Sequence, residues 1–403
     1  MAVSHPGDPQ RAITLLSFAA FASAASVRVC DPMLPDLARE FDTTPGSAAN
    51  VVWAFLVVYG LTQAFYGPLG DRIGKYRLVA WTALGCTVGT LAGAFAGSLE
   101  WLVVTRALAG ATAGGIIPLC LAWIGDAIPY ERRQATLARF LIGQIFGVIG
   151  GQFIGGIFAD TLGWRAAFVF LAAVYLVVGW LVLRESRLNA STFPVPQDAG
   201  VRKGMLGPAL DVLRDPWART ILTVVFIEGT LLFGGLALLP TYLHLRFGLS
   251  LTMAGALTAI FGIGGLAYIL FAGFFVRRLG EVGLATIGGL WLGCAWLLLA
   301  LGSSWHWAIP GAFLIGLGFY KLHNTLQTNA TQMAPRTRGT AVSMFASALF
   351  LGQATGVFLA ARAFEAWGGP ALFLGIAVCI PVLALIFARL LKRHHRSRPA
   401  ALA

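Results

Sequence analysis

Apolar runs of about 20 residues follow one another along the whole of this 403-residue chain, with only short polar breaks between them. That is the length a helix needs to cross a hydrocarbon core about 30 Å thick. Charged residues make up 11% of the chain and the mean hydropathy is +0.77, against about 25% charged residues in ordinary soluble domains. These values exclude a water-soluble globule. The first run, Ala12 to Val29, is followed by Asp31-Pro32 without a small-residue cleavage site, so it reads as a retained helix rather than a leader. The five cysteines, Cys30, Cys86, Cys120, Cys294 and Cys379, lie singly in apolar segments. Neither a disulfide framework nor a metal knot is expected from them.

Twelve helices are predicted, near residues 12–33, 48–67, 77–97, 101–124, 135–158, 164–183, 219–242, 252–274, 282–302, 306–329, 339–361 and 369–390. The net charge of +12 is no nucleic-acid signature, because of where the charge falls. Of the 29 lysines and arginines, 22 sit in one alternate set of connections and tails and 4 (Arg39, Arg165, Arg246, Arg362) in the other; Arg28, Arg106 and Lys321 fall inside helices. Basic residues collect on the cytoplasmic side of a membrane protein. Both termini are therefore expected there, which requires an even number of spans. The basic C-terminal tail reads as an anchor near anionic headgroups.

The longest polar connection, 185–218, is rich in proline, glycine and basic residues. It reads as a cytoplasmic linker, with a short surface helix near 208–213, joining two six-helix bundles, 1–184 and 219–391; a basic tail, 392–403, follows. The bundles repeat in sequence. A shift of 206 brings "GPLGDRIGK" (67–75) onto "GFFVRRLGE" (273–281), Pro129 onto Pro335, Arg132 onto Arg338 and Phe41 onto Phe247, and a shift of 209 brings "GQIFGV" (143–148) onto "GQATGV" (352–357). Such a parallel duplication predicts a substrate site near mid-membrane with alternating access by rocking. The expected fold class is an all-α membrane protein with twelve transmembrane helices in two pseudo-symmetric bundles.

Three stretches carry a family resemblance. Gly67-x-Leu69-Gly70-Asp71-Arg72-x-Gly74-Lys75 is similar to the signature loop between helices 2 and 3 of the major facilitator superfamily. "LVVTRALAG" (102–110), with Arg106, is similar to its helix-4 signature, and "RVCDPMLPDLAREF" (28–41), with Asp31, resembles the helix-1 exit of its twelve-helix proton-coupled efflux subgroup. The resemblance spans essentially the full chain. It implies a multi-pass protein of a bacterial cytoplasmic (inner) membrane, powered by a proton gradient without a cofactor. Its implied partners are a small-molecule substrate, protons and the lipid bilayer, with no nucleic acid, and a monomer is expected. One departure is visible: where antiporters of the family usually carry Gly-Pro-x-x-Gly-Gly on helix 5, this chain reads Gly151-Gln152-Phe153-Ile154-Gly155-Gly156.

Ionisable groups inside a membrane are costly, so each is a functional candidate. At about 1.5 Å per residue, Arg28 and Arg106 lie about 24 Å and about 22 Å from the cytoplasmic side, with Asp31 about one turn above. Asp31 is expected to pair with Arg106 or with Arg28. With the resemblance, Asp31, Arg106 and Glu228 become the proton-coupling candidates; a static salt bridge and a protonated, hydrogen-bonded glutamic acid are the structural alternatives. Helix 10 carries Lys321, His323, Asn324 and Gln327, and the three-residue spacing of Lys321, Asn324 and Gln327 reads as one broad face. These four, with Arg28, are the substrate-binding candidates, although Lys321 also has the reach to snorkel to the headgroups. No second histidine or acidic cluster accompanies His323 in the sequence, so no metal site is expected. The formal charges of Arg28, Arg106 and Lys321 exceed those of Asp31 and Glu228, which favours neutral or anionic amphipathic cargo.

Gly143, Gly147, Gly151 and Gly155 recur every fourth residue on helix 5, and Gly352 and Gly356 repeat the spacing on helix 11. Such a face lets another helix approach closely and slide. In the turn between helices 2 and 3, Gly67, Gly70 and Gly74 are expected to allow a tight turn and close packing, while Arg72 and Lys75 hold it inside. Asp71 is expected to latch onto the start of helix 11, beside Arg336 and Arg338. Its duplicate, Arg277 or Arg278, is expected to latch onto Glu131. Trp101, Trp164, Trp305 and Trp307 are expected at the outer interface.

The sequence argues against an enzyme, since no nucleophile, base and metal ligands converge in its short cytoplasmic loops. It argues against an ATP-driven machine, since "GDRIGKY" (70–76) lacks the further glycine and the Ser or Thr of a phosphate loop. The expected function is secondary active transport: proton-coupled antiport (efflux) of a small amphipathic organic molecule by alternating access. The alternatives are a proton-coupled uptake symporter of an organic anion or other metabolite and, third, an integral-membrane transferase.

Overall fold

The structure, a computed structural model, describes residues 9–193, 206–334 and 338–397. Every regular element among them is helical, as a chain surrounded by hydrocarbon requires, because only a helix or a closed barrel satisfies every backbone polar group internally. The chain divides into two compact units, Met1–Ala209 and Leu210–Ala403. The first holds α1 (Pro9–Glu40), α2 (Pro45–Ile73), α3 (Lys75–Ala94), α4 (Leu99–Ala127), α5 (Tyr130–Thr161) and α6 (Trp164–Leu188). A short helix, Leu206–Arg214, stands close to the expected 208–213 and precedes α7 (Pro216–Phe247). The remaining helices are α8 (251–279), α9 (281–301), α10 (Ala308–Gln332), α11 (338–367) and α12 (369–397).

Eight helices among the described residues are long and apolar enough to cross a membrane. Two of these are each a pair of spans folded at one glycine, Gly280 (φ 60°, ψ 177°) and Gly368 (φ 80°, ψ 166°). Adding α3 and the more polar α10 gives the expected twelve. Large apolar side chains on the outer faces, such as Val88, Leu108, Leu270 and Val378, stay exposed, which hydrocarbon favours and water does not.

The duplication is written into the turns. Positive-φ residues occur at Asp42, Gly74 and Gly163 in the first unit and at Gly248, Gly280 and Gly368 in the second, at offsets of 206, 206 and 205. The helix caps follow: Thr44 and Ser250, then Ser98 and Ser304, each accept a backbone N–H at the same offset of 206. The offset of 209 drawn from the two "GQ" stretches is corrected by the packing. A Cβ on Gly151 or Gly155 of α5 would meet the backbone of Ala25 or Val29 on α1, and a Cβ on Gly352 or Gly356 of α11 would meet that of Phe226 or Thr230 on α7. All four pairs are related by 201, so Gly151-Gln152-x-x-Gly155 corresponds to Gly352-Gln353-x-x-Gly356. The ladder on α5 is continuous, Gly143 and Gly147 facing Ser17 and Phe21.

Other expectations shift. Helix α2 does not end at 67 but runs through Pro68 to Ile73, and Gly74 alone (φ 97°) makes the turn to α3. Gly70 packs tightly, with a Cβ placed 2.6 Å from Leu119 Cδ2, whereas Gly67 faces open space. Trp164, the first residue of α6, is buried against the preceding turn and donates from Nε1 to Glu40 Oε2 at 2.5 Å; Trp101 and Trp307 are exposed. Helix α12 outlasts its expected end near 390: its last turn stacks His394 on Trp217 at 4.0 Å and brings His395 Nε2 3.4 Å from Glu281 Oε2.

Candidate functional site

Pro32 shapes the first candidate site. Its ring denies residue 28 an i+4 N–H partner and clashes with that carbonyl, so the first α-helical stretch of α1 ends at Arg28, and a 3₁₀ turn, Asp31–Met33, leads into a second, Leu34–Glu40. Asp31 is fully buried in that turn. Gln152 of α5 donates from Nε2 to Asp31 Oδ2 at 2.8 Å, and Arg28 Nη1 stands 3.6 Å from the same oxygen. Asp31 Oδ1 and Gln152 Oε1 are buried with no hydrogen-bond partner among the described residues. Gln152, which the sequence showed only as a departure from a family motif, is thus a direct partner of the buried carboxylate.

Of the two partners expected for Asp31, the nearer is Arg28. Arg106 is spent elsewhere. Its Nη2 donates to the Ser26 carbonyl at 2.8 Å, its Nη1 to Ser26 Oγ at 3.4 Å and its Nε to the Val51 carbonyl at 3.4 Å, and its guanidinium lies 4.1 Å from the Phe55 ring centroid. It reaches α1 at Ser26, close to Arg28, so the shared depth holds while the pairing differs. Arg106 ties α4 to α1 and α2.

In the second unit, Glu228 of α7 is fully buried and its Oε2 lies 2.9 Å from His323 Nδ1 on α10. The imidazole is stacked against Phe319 (4.7 Å) and Phe345 (5.3 Å). The sequence reading found no carboxylate near His323 because this one is 95 positions away. The common face of Lys321, Asn324 and Gln327 is also corrected. Each three-residue step falls about 60° short of a full turn, so two steps separate Lys321 from Gln327 by about 120°. Lys321 turns to the opposite side, fully buried, with Nζ 3.7 Å from the Trp291 ring centroid and 4.1 Å from that of Phe275. Asn324 is half-buried and Gln327 exposed.

At the turns after α2 and α8 the helix ends carry small clasps. Lys75 Nζ lies 3.1 Å from Asp71 Oδ1 and 2.5 Å from Asp126 Oδ2. Asp126, on the last turn of α4, was absent from the sequence reading. In the second unit the residue at the same offset of 206 is Glu281, which accepts from Asn329 Nδ2 at 3.2 Å and meets His395. The clasp is repeated with its central charge inverted. Arg72, Arg277 and Arg278 are exposed. The side chains of Glu131 and Arg338, and Arg336 altogether, lie outside the described residues.

Comparison with known proteins follows the same lines. The sequence model of the Major Facilitator Superfamily matches residues 16–356. The chain is 27% identical over 386 residues to the uncharacterized MFS-type transporter YwfA of Bacillus subtilis (strain 168), covering 93% of this chain and 90% of that protein. It is 26% identical over 400 residues to the inner membrane transport protein YnfM of Escherichia coli (strain K12), covering 96% and 93%. It is 26% identical over 390 residues to the tetracycline resistance protein, class E, of Escherichia coli, covering 91% and 92%. Among solved structures, a mutant of the peptide transporter POT superposes with a TM-score of 0.75 at 18% identity, over 95% of each chain. The POT family transporter PepTSo superposes with a TM-score of 0.74 at 16% identity, over 98% and 99%. At these identities the structural likeness speaks for the fold.

Proposed function

The chain belongs to the major facilitator superfamily, and on that footing we propose that it is a proton-coupled antiporter that exports a small amphipathic organic molecule, neutral or anionic, from a bacterial cell by alternating access. The observation that carries this reading is the buried carboxylate of Asp31, held between Arg28 and Gln152 with one oxygen unpaired among the described residues. A carboxylate so placed is expensive unless it has work to do, and exchanging a proton is work that a static bridge does not perform. Glu228 with His323 forms the second protonatable pair. Around Asp31 two arginines, Arg28 and Arg106, stand against one carboxylate, which favours neutral or anionic cargo over cationic. The likeness to a tetracycline resistance protein supports export.

The test uses inside-out membrane vesicles energised to acidify their interior, with tetracycline and a panel of anionic, neutral and cationic amphiphiles as probes. Export by antiport predicts protonophore-sensitive accumulation of at least one anionic or neutral probe. Accumulation of cationic probes alone sinks the cargo assignment. Gradient-driven accumulation only in right-side-out vesicles turns the reading to uptake symport.

A further inference from the structure

We propose that Gln152 is the positioning residue of Asp31: its side-chain amide fixes the carboxylate by Oδ2 and leaves Oδ1 as the atom that takes up and releases the proton. This rests on the reading of Asp31 as the coupling carboxylate.

Three observations carry it. Gln152 is 1% exposed and Asp31 is 0% exposed, so the 2.8 Å bond between them has no competition from bulk water. The bond also has a built register. Gly151 and Gly155 bring the backbone of α5 against Ala25 and Val29 of α1, which sets the amide at the level of the 3₁₀ turn that holds Asp31. Finally, the donors converge on one oxygen: Arg28 Nη1 approaches Oδ2 as well, while Asp31 Oδ1 has no hydrogen-bond partner among the described residues.

The chemistry follows from donor count. An amide N–H stabilises the anionic carboxylate more than the neutral acid, so Gln152 sets how tightly Asp31 holds its proton. It also restricts rotation of the carboxylate and so decides which oxygen is protonated. The other titratable or charged groups facing Asp31 are Arg28 and Cys30 on α1 and Arg106 from α4. None of them shares the amide's contact at 2.8 Å.

The experiment is an infrared pH titration of the full-length protein reconstituted in lipid vesicles, following the C=O stretch of protonated carboxyl groups. The Asp31 band is the one lost in Asp31→Asn. Gln152→Met keeps the side-chain length and removes the amide. It is expected to hold the Asp31 proton about tenfold more tightly, so that the band appears about one pH unit higher, and to move the band frequency. Gln152→Glu keeps the volume and puts a second carboxyl beside the first; it is expected to give a two-step titration even if Gln152→Met does not fold. A wild-type midpoint and frequency in Gln152→Met, or a single unshifted step in Gln152→Glu, overturns the assignment of Gln152 while leaving Asp31 in its role. A band that disappears in Asp31→Asn while gradient-driven transport persists overturns the reading of Asp31 instead.

Discussion

Arg28 and Arg106 carry the same charge at nearly the same depth, yet their surroundings give them different tasks. Arg106 donates to one hydroxyl and two backbone carbonyls on two other helices, so it is a strut. Arg106→Leu is expected to destabilise the first unit by about 3 kcal/mol, read as a lower midpoint of thermal unfolding in detergent; an unchanged midpoint contradicts the strut. Lys321 is a different case. Among the described residues its buried ammonium meets the ring faces of Trp291 and Phe275 and no hydrogen-bond acceptor, and cation–π contacts worth about 2 kcal/mol offset its desolvation only in part. Lys321→Met is therefore expected to keep or raise the unfolding midpoint, whereas Trp291→Ala, which opens a cavity beside a buried charge, lowers it by several degrees. At this scale the sequence was a good guide to which residues are out of place in a membrane. Asp31, Arg106, Glu228 and Lys321 each announce themselves by cost alone. It was a poor guide to the partners of the two carboxylates, because Gln152 and His323 lie 121 and 95 positions from Asp31 and Glu228. Those distances are closed only by packing.

Between the helices, glycine spacing does what side-chain chemistry does within the sites. The ladder on α5 was legible as a repeat of four. Its partner was not, because the spacing says that some backbone comes close without saying which. Ser17, Phe21, Ala25 and Val29 of α1 fill that role, each opposite one rung. Gly147→Ala is expected to push α5 from α1 and cost about 1–3 kcal/mol. Gly67→Ala faces open space and, in the helix that continues through Pro68, is expected to cost nothing or to stabilise slightly, since alanine favours helix over glycine by about 1 kcal/mol. Equal losses from the two substitutions, measured by thermal unfolding, contradict the packing. "GPLG" reads as a break, yet the helix runs on and the reversal is made by Gly74 alone, where the positive φ demands glycine.

For the molecule as a whole, the basic residues decide how it sits in a bilayer. The twelve-span topology places the turn at Asp42 outside and the turn at Gly280 inside. In a variant with the five native cysteines replaced, a cysteine at Asp42 is expected to react with a membrane-impermeant maleimide in intact cells and one at Arg278 to react only after permeabilisation; the reverse pattern contradicts the orientation. The duplication was visible in sequence at the turns, where Gly74 and Gly280 stand at one offset. It was misread at the helix ladders, because a match of "GQ" to "GQ" is satisfied eight residues away from the position that packing selects. The structure thus joins a duplicated scaffold to an unequal chemistry. A carboxylate, an arginine and a glutamine meet in the first unit, and a carboxylate and a histidine in the second. Proton coupling through Asp31 is the claim on which the functional reading stands. It is tested most directly in proteoliposomes, by comparing Asp31→Asn with the wild-type protein for flux of a transported probe, uphill under an imposed pH gradient and downhill without one. The prediction is that Asp31→Asn loses uphill accumulation and keeps downhill flux. Uphill accumulation at the wild-type level would contradict it.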